Sequence, residues 1–390
     1  MDTYQSIREQ LQRSGYTIFN GVVSDDFLAQ AKQEILQHLT SIPRIPTKRI
    51  KVDRLDNLSY DEIIDLHKRW EPFQVDSAIY APSAFQMKFS QELRQEPAIY
   101  NLFAHLSGQA DLRANVDAYS LRIPSNYYEI PYWNSNPSTW TFEKLTGVKY
   151  QRYLGLITLT TTTFSFVPGS FTAEFHSHFM VQYNGRTRFT TPTQIHPTND
   201  PMNLCSAVVD ITIPAGSLII WDEKLLRCAK PNLTPNIEAF VAISYSSVTE
   251  SLQSDLHRIR SYLTGRAPPI LSNGLKFQAT PRMWTKFPAY VEEFQKIIPE
   301  SCHRFKKDEA GRLVAYIDEY PMVESYRPTE LTELGYKLLW GKSIAPALED
   351  LKALEEVKDV RPIRFKFLKP EALTSFVESP EAIEPIEPIN

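Results

Sequence analysis

Two closely spaced histidines, His176 and His178 in the segment EFHSHF, carry clear metal-binding chemistry. On a β-strand, residues two positions apart point to the same face, so these imidazoles could bind one metal ion, with His196 as a more distant ligand. The segment also fits a surface stretch in which the histidines have no metal role. We favour the second interpretation, because the segment follows the PGS triplet at 168–170 by only a few residues.

A longer pattern runs from Gly216 to Asn232 and combines a Gly-Ser start, an apolar run, a Trp-Asp pair and a Pro-Asn pair. This pattern resembles the last core strands of the phytanoyl-CoA dioxygenase-like family of Fe(II)/2-oxoglutarate oxygenases. The PGS triplet at 168–170 and the strand-then-helix order at 15–39 are similar to the same family. The frame residues that this chain keeps are Gly216, Ser217, Trp221, Asp222, Pro231 and Asn232.

The resemblance implies a core built to hold iron, but the ligands themselves are missing. A non-haem Fe(II) site of this kind takes two His and one carboxylate and leaves positions open for 2-oxoglutarate and oxygen. The distal His of the family pattern falls at Arg227, a permanent cation that repels a metal ion. The place of the oxoglutarate-binding Arg is taken by Ile237 or Glu238.

The family's His-x-Asp pair should lie within residues 125–149, an interval that contains neither His nor Asp. The nearest frames are Trp133-x-Ser135 and Asn134-x-Asn136, and neither binds Fe(II) strongly. We therefore expect no cofactor and no metal. The vestigial site positions are Asn134, Asn136, Arg227, Asp222 and Glu238.

A buried arginine needs a compensating carboxylate or several carbonyl groups. Asp222 and Glu223 are nearest to Arg227 in sequence, and Glu129 is a third candidate from the preceding loop. For Asp222 we predict a structural role, paired with Arg227 or Lys224, in preference to general-base catalysis.

The elements that must position these residues follow from hydrophobic periodicity and turn signals. We predict helices in the first 108 residues and strands concentrated between 116 and 248. The individual predictions are a helix at 1–14, a strand at 15–22, a helix at 27–39 capped by Ser24, mostly helix at 60–108 ending at Gly108, strands at 116–124, 150–170, 204–220 and 238–248, and a helix at 331–342.

The predicted fold class is α+β, with a double-stranded β-helix (jelly-roll, cupin-like) core. The expected regions are N-terminal helices at 1–115, the core at 116–250, a helical or irregular extension at 251–376 and a Pro/Glu/Ile tail at 377–390. Isoleucines recur every third position in that tail, which predicts one apolar edge of a polyproline-like segment that docks on a partner or on the chain itself.

Composition narrows the class of protein. The net charge of −4 does not favour binding to nucleic acid or to a membrane. Three Cys in 390 residues are too few for a disulfide framework. Neither a signal-peptide pattern nor a long apolar run is present in this sequence, so we expect a soluble, intracellular protein.

Three functions remain open at this stage. The first is a catalytically degenerate oxygenase fold that acts as a non-enzymatic structural, assembly or binding module with protein partners. Because similar genes occur in large DNA viruses, this interpretation includes a virion component. The second is an active dioxygenase using Fe(II) and 2-oxoglutarate with displaced ligands, such as His176, His178 and Asp210. The third is a metal-free binder of a small anion held by Arg227.

Overall fold

A computed structural model provides the structure of the chain. It describes residues 3–41, 52–70, 74–75, 78–79, 82–109, 111–124, 132–134, 152–182, 193–194, 200–229, 232–247, 255–264, 304–307, 313–316 and 329–340.

Helices occupy much of the N-terminal part of the described chain. The helices are α1 Thr3–Ser14, α2 Asp25–Ser41, α3 Tyr60–Trp70, α4 Lys88–Arg94, α5 Pro97–Ser107, α6 Ala173–Gln182, α7 Leu204–Ala207, α8 Asp255–Thr264 and α9 Glu333–Trp340, with a short 3-10 helix at Pro82–Phe85. Helix α5 begins with Pro97, and it ends at Gly108, whose φ of 67° is the left-handed conformation that glycine adopts without strain. None of the helices in these ranges combines the length and apolarity that a membrane crossing requires.

The strands form antiparallel sheets. They are β1 Tyr16–Phe19, β2 Gln74–Val75, β3 Ala78–Ile79, β4 Leu112–Ala114, β5 Tyr119–Arg122, β6 Tyr132–Asn134, β7 Tyr153–Thr158, β8 Thr162–Phe166, β9 Thr193–Gln194, β10 Val209–Ile213, β11 Leu218–Asp222, β12 Arg227–Ala229, β13 Glu238–Ser247, β14 Arg304–Lys307 and β15 Leu313–Tyr316. The large sheet has the order β1-β11-β7-β13-β5-β3-β2, with β4 also paired to β13. The small sheet has the order β10-β8-β12-β6-β9, and β14 pairs with β15 alone.

Eight of these strands pair as one nested series. The innermost pair is β8 with β10, followed outward by β7 with β11, β6 with β12 and β5 with β13. Successive pairs alternate between the small sheet and the large sheet. The chain from β5 to β8 is therefore matched, strand for strand, by the returning chain from β10 to β13.

The large sheet buries apolar side chains on both faces, and strand β11 shows how. Leu218 and Ile220 belong to the core shared with helices α1–α5, whereas Ile219 and Trp221 belong to a second core that includes Phe164 and Phe166 of the small sheet. This division follows from the two-residue period of a strand. We refer to the first group as the helix-facing core and to the second as the inter-sheet core.

Several sequence predictions agree with these elements. Helices α1, α2 and α9 and strands β5, β11 and β13 lie within or close to the predicted ranges. Ser24 caps α2 by accepting the N–H of Phe27 at its hydroxyl, 3.3 Å away. Gly216, with φ of 76°, makes the predicted turn before β11. The mixture of helices and antiparallel sheets agrees with the predicted α+β class.

The prediction of one strand over 150–170 was wrong. The segment forms β7 in the large sheet and β8 in the small sheet, and the chain crosses between the sheets at residues 159–161. The Thr160 hydroxyl holds this crossing, because it donates to the Ile237 carbonyl at 2.9 Å and accepts the Ala239 N–H at 2.7 Å. A run of β-branched residues favours extended backbone but carries no signal for a change of sheet.

Two further predictions need correction. Residues 204–207 form the short helix α7 and not the start of a strand, and strands that were not predicted occur outside 116–248, among them β2, β3, β14 and β15. The predicted tail at 377–390 lies outside the described residues.

Candidate functional site

Arg227 begins β12 and lies between two neighbouring strands. It is opposite Asn134 of β6 on one side and Phe166 of β8 on the other. Directly opposed residues of an antiparallel pair share one face of the sheet. Because Phe166 belongs to the inter-sheet core, Arg227 extends into the space between the two sheets.

The guanidinium of Arg227 stacks on Trp221 of the large sheet, with Cζ 4.7 Å from the ring centroid. Trp221 is 3% exposed, whereas Arg227 keeps part of its surface accessible. Burial lowers the pKa of Arg227 to about 10, and the Glu223 carboxylate opposes this shift. The side chain therefore remains a cation at neutral pH, and a cation over an aromatic face gains roughly 0.5–2 kcal/mol.

The neighbouring carboxylates do not neutralise Arg227 directly. Glu223 is buried and pairs with Arg152, whose Nη1 lies 3.4 Å from Oε1 of Glu223. Asp222 lies on the other face of β11, opposite Tyr153, and its Oδ1 accepts the backbone N–H of Lys224 at 2.8 Å. Among the described residues, no carboxylate is within ion-pair distance of the Arg227 guanidinium.

Two hydrogen-bond donors at this position have no acceptor among the residues that the structure describes. They are Nε of Arg227 and Nε1 of Trp221, both inaccessible to solvent. Leaving a buried donor unsatisfied costs about 1–3 kcal/mol, so buried donors of this kind are normally met by water or by a bound molecule. The stacked pair Arg227–Trp221, which we call the guanidinium–indole site, is therefore the candidate functional site.

A second polar group lies between the sheets, where Glu238 of β13 is opposite Arg122 of β5. The Glu238 Oε2 is 2.6 Å from Nη2 of Arg122, and its Oε1 accepts the Thr163 N–H at 3.1 Å. Arg122 also donates to the Thr163 carbonyl and lies over the Phe240 ring, with Cζ 5.7 Å from the centroid. This arrangement ties the large sheet to β8 of the small sheet.

Burial raises the pKa of Glu238, and the Arg122 guanidinium opposes that shift. The two polar groups are well separated along the sheet. Leu154 of β7 is opposite Trp221, whereas Thr158 of β7 is opposite Phe240, and four residues of strand span about 13 Å. The Arg122–Glu238 pair and the guanidinium–indole site therefore occupy opposite ends of the inter-sheet space.

The histidine prediction placed His176 and His178 on one strand face, but the segment is helix α6. On a helix, residues two apart point about 200° apart, so the strand argument for a shared metal does not apply. His178 is exposed and His176 is half-buried. His196 and Asn136 lie outside the described residues. In the ranges given above, no three His, Cys, Asp or Glu side chains are grouped closely enough to hold a metal ion.

Asn232, from the Pro-Asn pair of the sequence pattern, has a structural task. Its Nδ2 donates to the carbonyls of Arg122 at 2.9 Å and Asn236 at 2.6 Å, and its Oδ1 accepts the Thr234 N–H at 3.0 Å. The side chain is buried and joins the turn after β12 to the end of β5. This explains why an amide, with both donors and acceptors, is needed at the position.

Sequence reasoning missed two of the residues that matter here. Arg122 lies in a predicted strand but was given no role. Because side chains alternate between the two faces of a strand, Arg122 is on the face opposite to the apolar residues Tyr119 and Leu121, and that was the available signal. Trp221 was recognised only as part of a pattern. Its partnership with Arg227 connects two different sheets, and spacing along one strand does not reveal such a contact.

No protein-family profile matches the chain, and no curated protein sequence matches it significantly. Similar solved structures include the non-haem α-ketoglutarate-dependent epimerase SnoN from nogalamycin biosynthesis, with 14% identity over 63% of this chain and 83% of SnoN and a TM-score of 0.38. EctD from S. alaskensis with bound Fe is similar at 17% identity over 65% and 79%, with a TM-score of 0.39. The non-haem monooxygenase ThoJ is similar at 14% identity over 62% and 77%, with a TM-score of 0.37.

Proposed function

We propose that this chain is a metal-independent binding protein built on the double-stranded β-helix of the phytanoyl-CoA dioxygenase-like oxygenases. The nested pairing of β5–β8 with β10–β13 supports the fold, because a β-ribbon whose successive pairs alternate between two facing sheets is the topology of a jelly roll.

Strand register is the observation that carries the proposal. The sequence pattern placed the distal iron ligand at Arg227 and gave Asn134 as the start of one of the two nearest frames for the other ligands. These residues are 93 positions apart in the chain and are direct cross-strand partners. Opposed residues have Cβ atoms about 4.5–5.5 Å apart, a separation at which two ligands can share one metal. The residues present do not fit Fe(II), because a guanidinium occupies one position and no metal-binding group of three is present in the described parts of the chain.

The residues do not fit 2-oxoglutarate either. The predicted position of the oxoglutarate-binding Arg is taken by Ile237 or Glu238. Ile237 is buried and apolar, and the Glu238 carboxylate already engages the guanidinium of Arg122. A second carboxylate at this position would meet the negative charge of Glu238. The interior instead contains a cation on an aromatic face, with the donors Arg227 Nε and Trp221 Nε1 unpartnered among the described residues. This arrangement favours binding of a small molecule without a metal.

The other interpretations drawn from the sequence stay predictions. Assembly through the 377–390 tail and a virion role depend on residues and partners about which the described chain carries no observation. An active dioxygenase with ligands His176, His178 and Asp210 would need one metal ion bound by residues from two elements. His176 and His178 lie on helix α6, and Asp210 lies at the exposed start of β10.

Calorimetry with Fe(II) or Mn(II), with and without oxoglutarate, tests the proposal. We expect no micromolar binding and no oxoglutarate consumption by the wild-type protein. A designed pair sharpens the test: Asn134→His with Arg227→His places two imidazoles across one strand pair, so this double variant should bind Co(II) or Zn(II).

The matched control for this design is Asn134→His alone, in which Arg227 keeps its cation, and it should bind neither metal. Stoichiometric iron in the wild-type protein together with oxoglutarate turnover would overturn the proposal. Failure of the folded double variant to bind either metal would remove the register argument.

A further inference from the structure

We infer that the guanidinium–indole site binds a small monoanionic carboxylate with a flat apolar body. This inference deepens the proposed function, because it rests on a metal-independent interior and names the class of ligand. Arg227 and Trp221 supply the polar contacts, and the inter-sheet core supplies the apolar wall.

Local charge selects a monoanion. The two other arginines of this interior each have a carboxylate partner, Arg122 with Glu238 and Arg152 with Glu223. Arg227 contributes a positive charge with no ion pair among the described residues, so the described part of the site carries one uncompensated positive charge. A singly charged carboxylate balances that positive charge, whereas a phosphate dianion would leave an excess negative charge beside buried apolar side chains.

Donor geometry favours a carboxylate over other monoanions. A guanidinium presents a planar edge that matches the two oxygens of a carboxylate. Nε of Arg227 is inaccessible to solvent and has no acceptor among the described residues, whereas the residue as a whole is only partly buried. The indole N–H of Trp221, which belongs to the same stacked pair, is a second unpartnered donor for the same ligand.

The shape of the surrounding core favours a flat ligand. Phe164 lies with its ring centroid 5.2 Å from that of Trp221, and Phe166 lies 4.6 Å from Tyr16. These rings come from both sheets and form the apolar side of the site. Aromatic rings prefer offset or edge contacts with other rings, so an aromatic carboxylate matches this wall better than a branched aliphatic one.

The experiment uses the full chain, with benzoate as the probe. Binding is measured by calorimetry and by the fluorescence of the tryptophans. We expect saturable binding of benzoate, weaker binding of acetate and none of inorganic phosphate at equal concentration. Arg227→Met should weaken benzoate binding about 10- to 100-fold, as loss of a charged hydrogen bond does. Trp221→Phe, which keeps an aromatic ring of smaller size and removes the N–H, should weaken it about 2- to 10-fold.

Arg54→Gln is the matched control, since this arginine is 44% exposed and pairs with Asp53 and Glu62 outside the inter-sheet space. It should leave benzoate affinity unchanged. Arg227→Lys keeps the charge but loses the planar edge and should fall between wild type and Arg227→Met. If the Arg227 variants fail to fold, a benzoate-dependent rise of the wild-type melting temperature that Trp221→Phe reduces still supports the inference.

The outcomes separate this inference from the proposed function. Absence of benzoate binding to the wild-type protein, or equal binding by wild type and Arg227→Met, overturns the inference and leaves a metal-independent protein in place. Benzoate binding that requires added iron overturns both. Preference for phosphate over benzoate overturns the charge argument and with it the ligand class.

Discussion

The two faces of the large sheet are built from the same strands but serve different ends. The helix-facing core is apolar where the strands meet helices α1–α5, with Ile157, Ile220 and Val241 fully buried. Its buried imidazole, His38, is hydrogen-bonded through Nδ1 to the Tyr119 hydroxyl at 2.7 Å. Charged side chains are buried on both faces, Arg94 among the helices and Arg122 and Glu238 between the sheets, but the stacked Arg227–Trp221 pair lies between the sheets.

This difference indicates where stability and function are separated in the molecule. The helix-facing core consists mainly of close-packed apolar side chains. The inter-sheet face keeps two ion pairs, one unbalanced arginine and an indole N–H in a space lined by aromatic rings. Substitutions on the first face should change stability, whereas those at the guanidinium–indole site should change binding.

The largest expected effect is at Phe103 of α5. Phe103 is 2% exposed, and its ring centroid lies 5.0 Å from that of Tyr245. The ring also fills the space over Gly155, where an added Cβ would lie 2.7 Å from Phe103 Cζ. Phe103→Ala should lower the free energy of unfolding by about 3–5 kcal/mol, measured by urea denaturation. Tyr60→Ala, at a position that is 63% exposed, is the control and should change it by less than about 0.5 kcal/mol. A loss below about 1 kcal/mol for Phe103→Ala would contradict the helix-facing core as the main source of stability.

The next effect concerns the ion pair that ties the sheets together. Glu238→Gln leaves the buried Arg122 without its carboxylate and should cost about 3 kcal/mol. Adding Arg122→Met to Glu238→Gln should recover part of that loss, because the unpaired charge is removed. A double variant whose loss equals the sum of the single losses would show that the pair contributes no coupling. The exposed pair Lys88–Glu92 provides the comparison, and breaking it should change stability by less than about 0.5 kcal/mol.

Much of the fold was predictable because its signals are local. Apolar periodicity, Ser24 before α2, Gly108 after α5 and the turn at Gly216 each act within a few residues, and the corresponding elements are present. The sheet change at Thr160 was not predictable, since it depends on hydrogen bonds to residues almost 80 positions away.

For the site, sequence reasoning identified Arg227 and Glu238 as altered positions but not their partners. Trp221 and Arg122 gain their roles only when strands distant in sequence become neighbours. The less favoured alternative, a strand that carries His176 and His178, does not form. Two histidines within a short polar and aromatic segment do not distinguish a strand from a helix.

His38 makes the helix-facing side sensitive to acid. Burial lowers the pKa of His38 to about 4, from about 6.5 in an exposed histidine. Below pH 6.5 the unfolded chain therefore binds a proton that the folded chain does not, so stability falls as the pH drops from 6.5 toward 4. For this residue the loss at pH 5 relative to pH 7.5 is about 2 kcal/mol.

The contribution of His38 is isolated by comparison with His38→Gln over the same pH range. The stability difference between wild type and this variant should favour wild type most at pH 7.5 and shrink on acidification. A difference that stays constant with pH would mean that His38 is not buried in its neutral form.

The smallest expected effect lies on the outer side of the helices, at Glu34 of α2. Its carboxylate accepts the N–H groups of Lys88 at 2.6 Å and Phe89 at 3.3 Å, and so caps the N-terminus of α4, where Met87 provides no side-chain cap. A carboxylate at a helix N-terminus satisfies free N–H groups and interacts favourably with the helix dipole. Glu34→Ala should therefore lower the free energy of unfolding by about 1 kcal/mol.

The control is Glu92→Ala, in the body of α4. It should lower the free energy of unfolding by less than half of that amount, because it removes only an exposed ion pair. Equal losses in the two variants, measured by thermal unfolding at pH 7, would mean that the cap adds nothing beyond surface charge. Neither change should alter benzoate affinity, since both residues lie on the far side of the helix-facing core from the guanidinium–indole site.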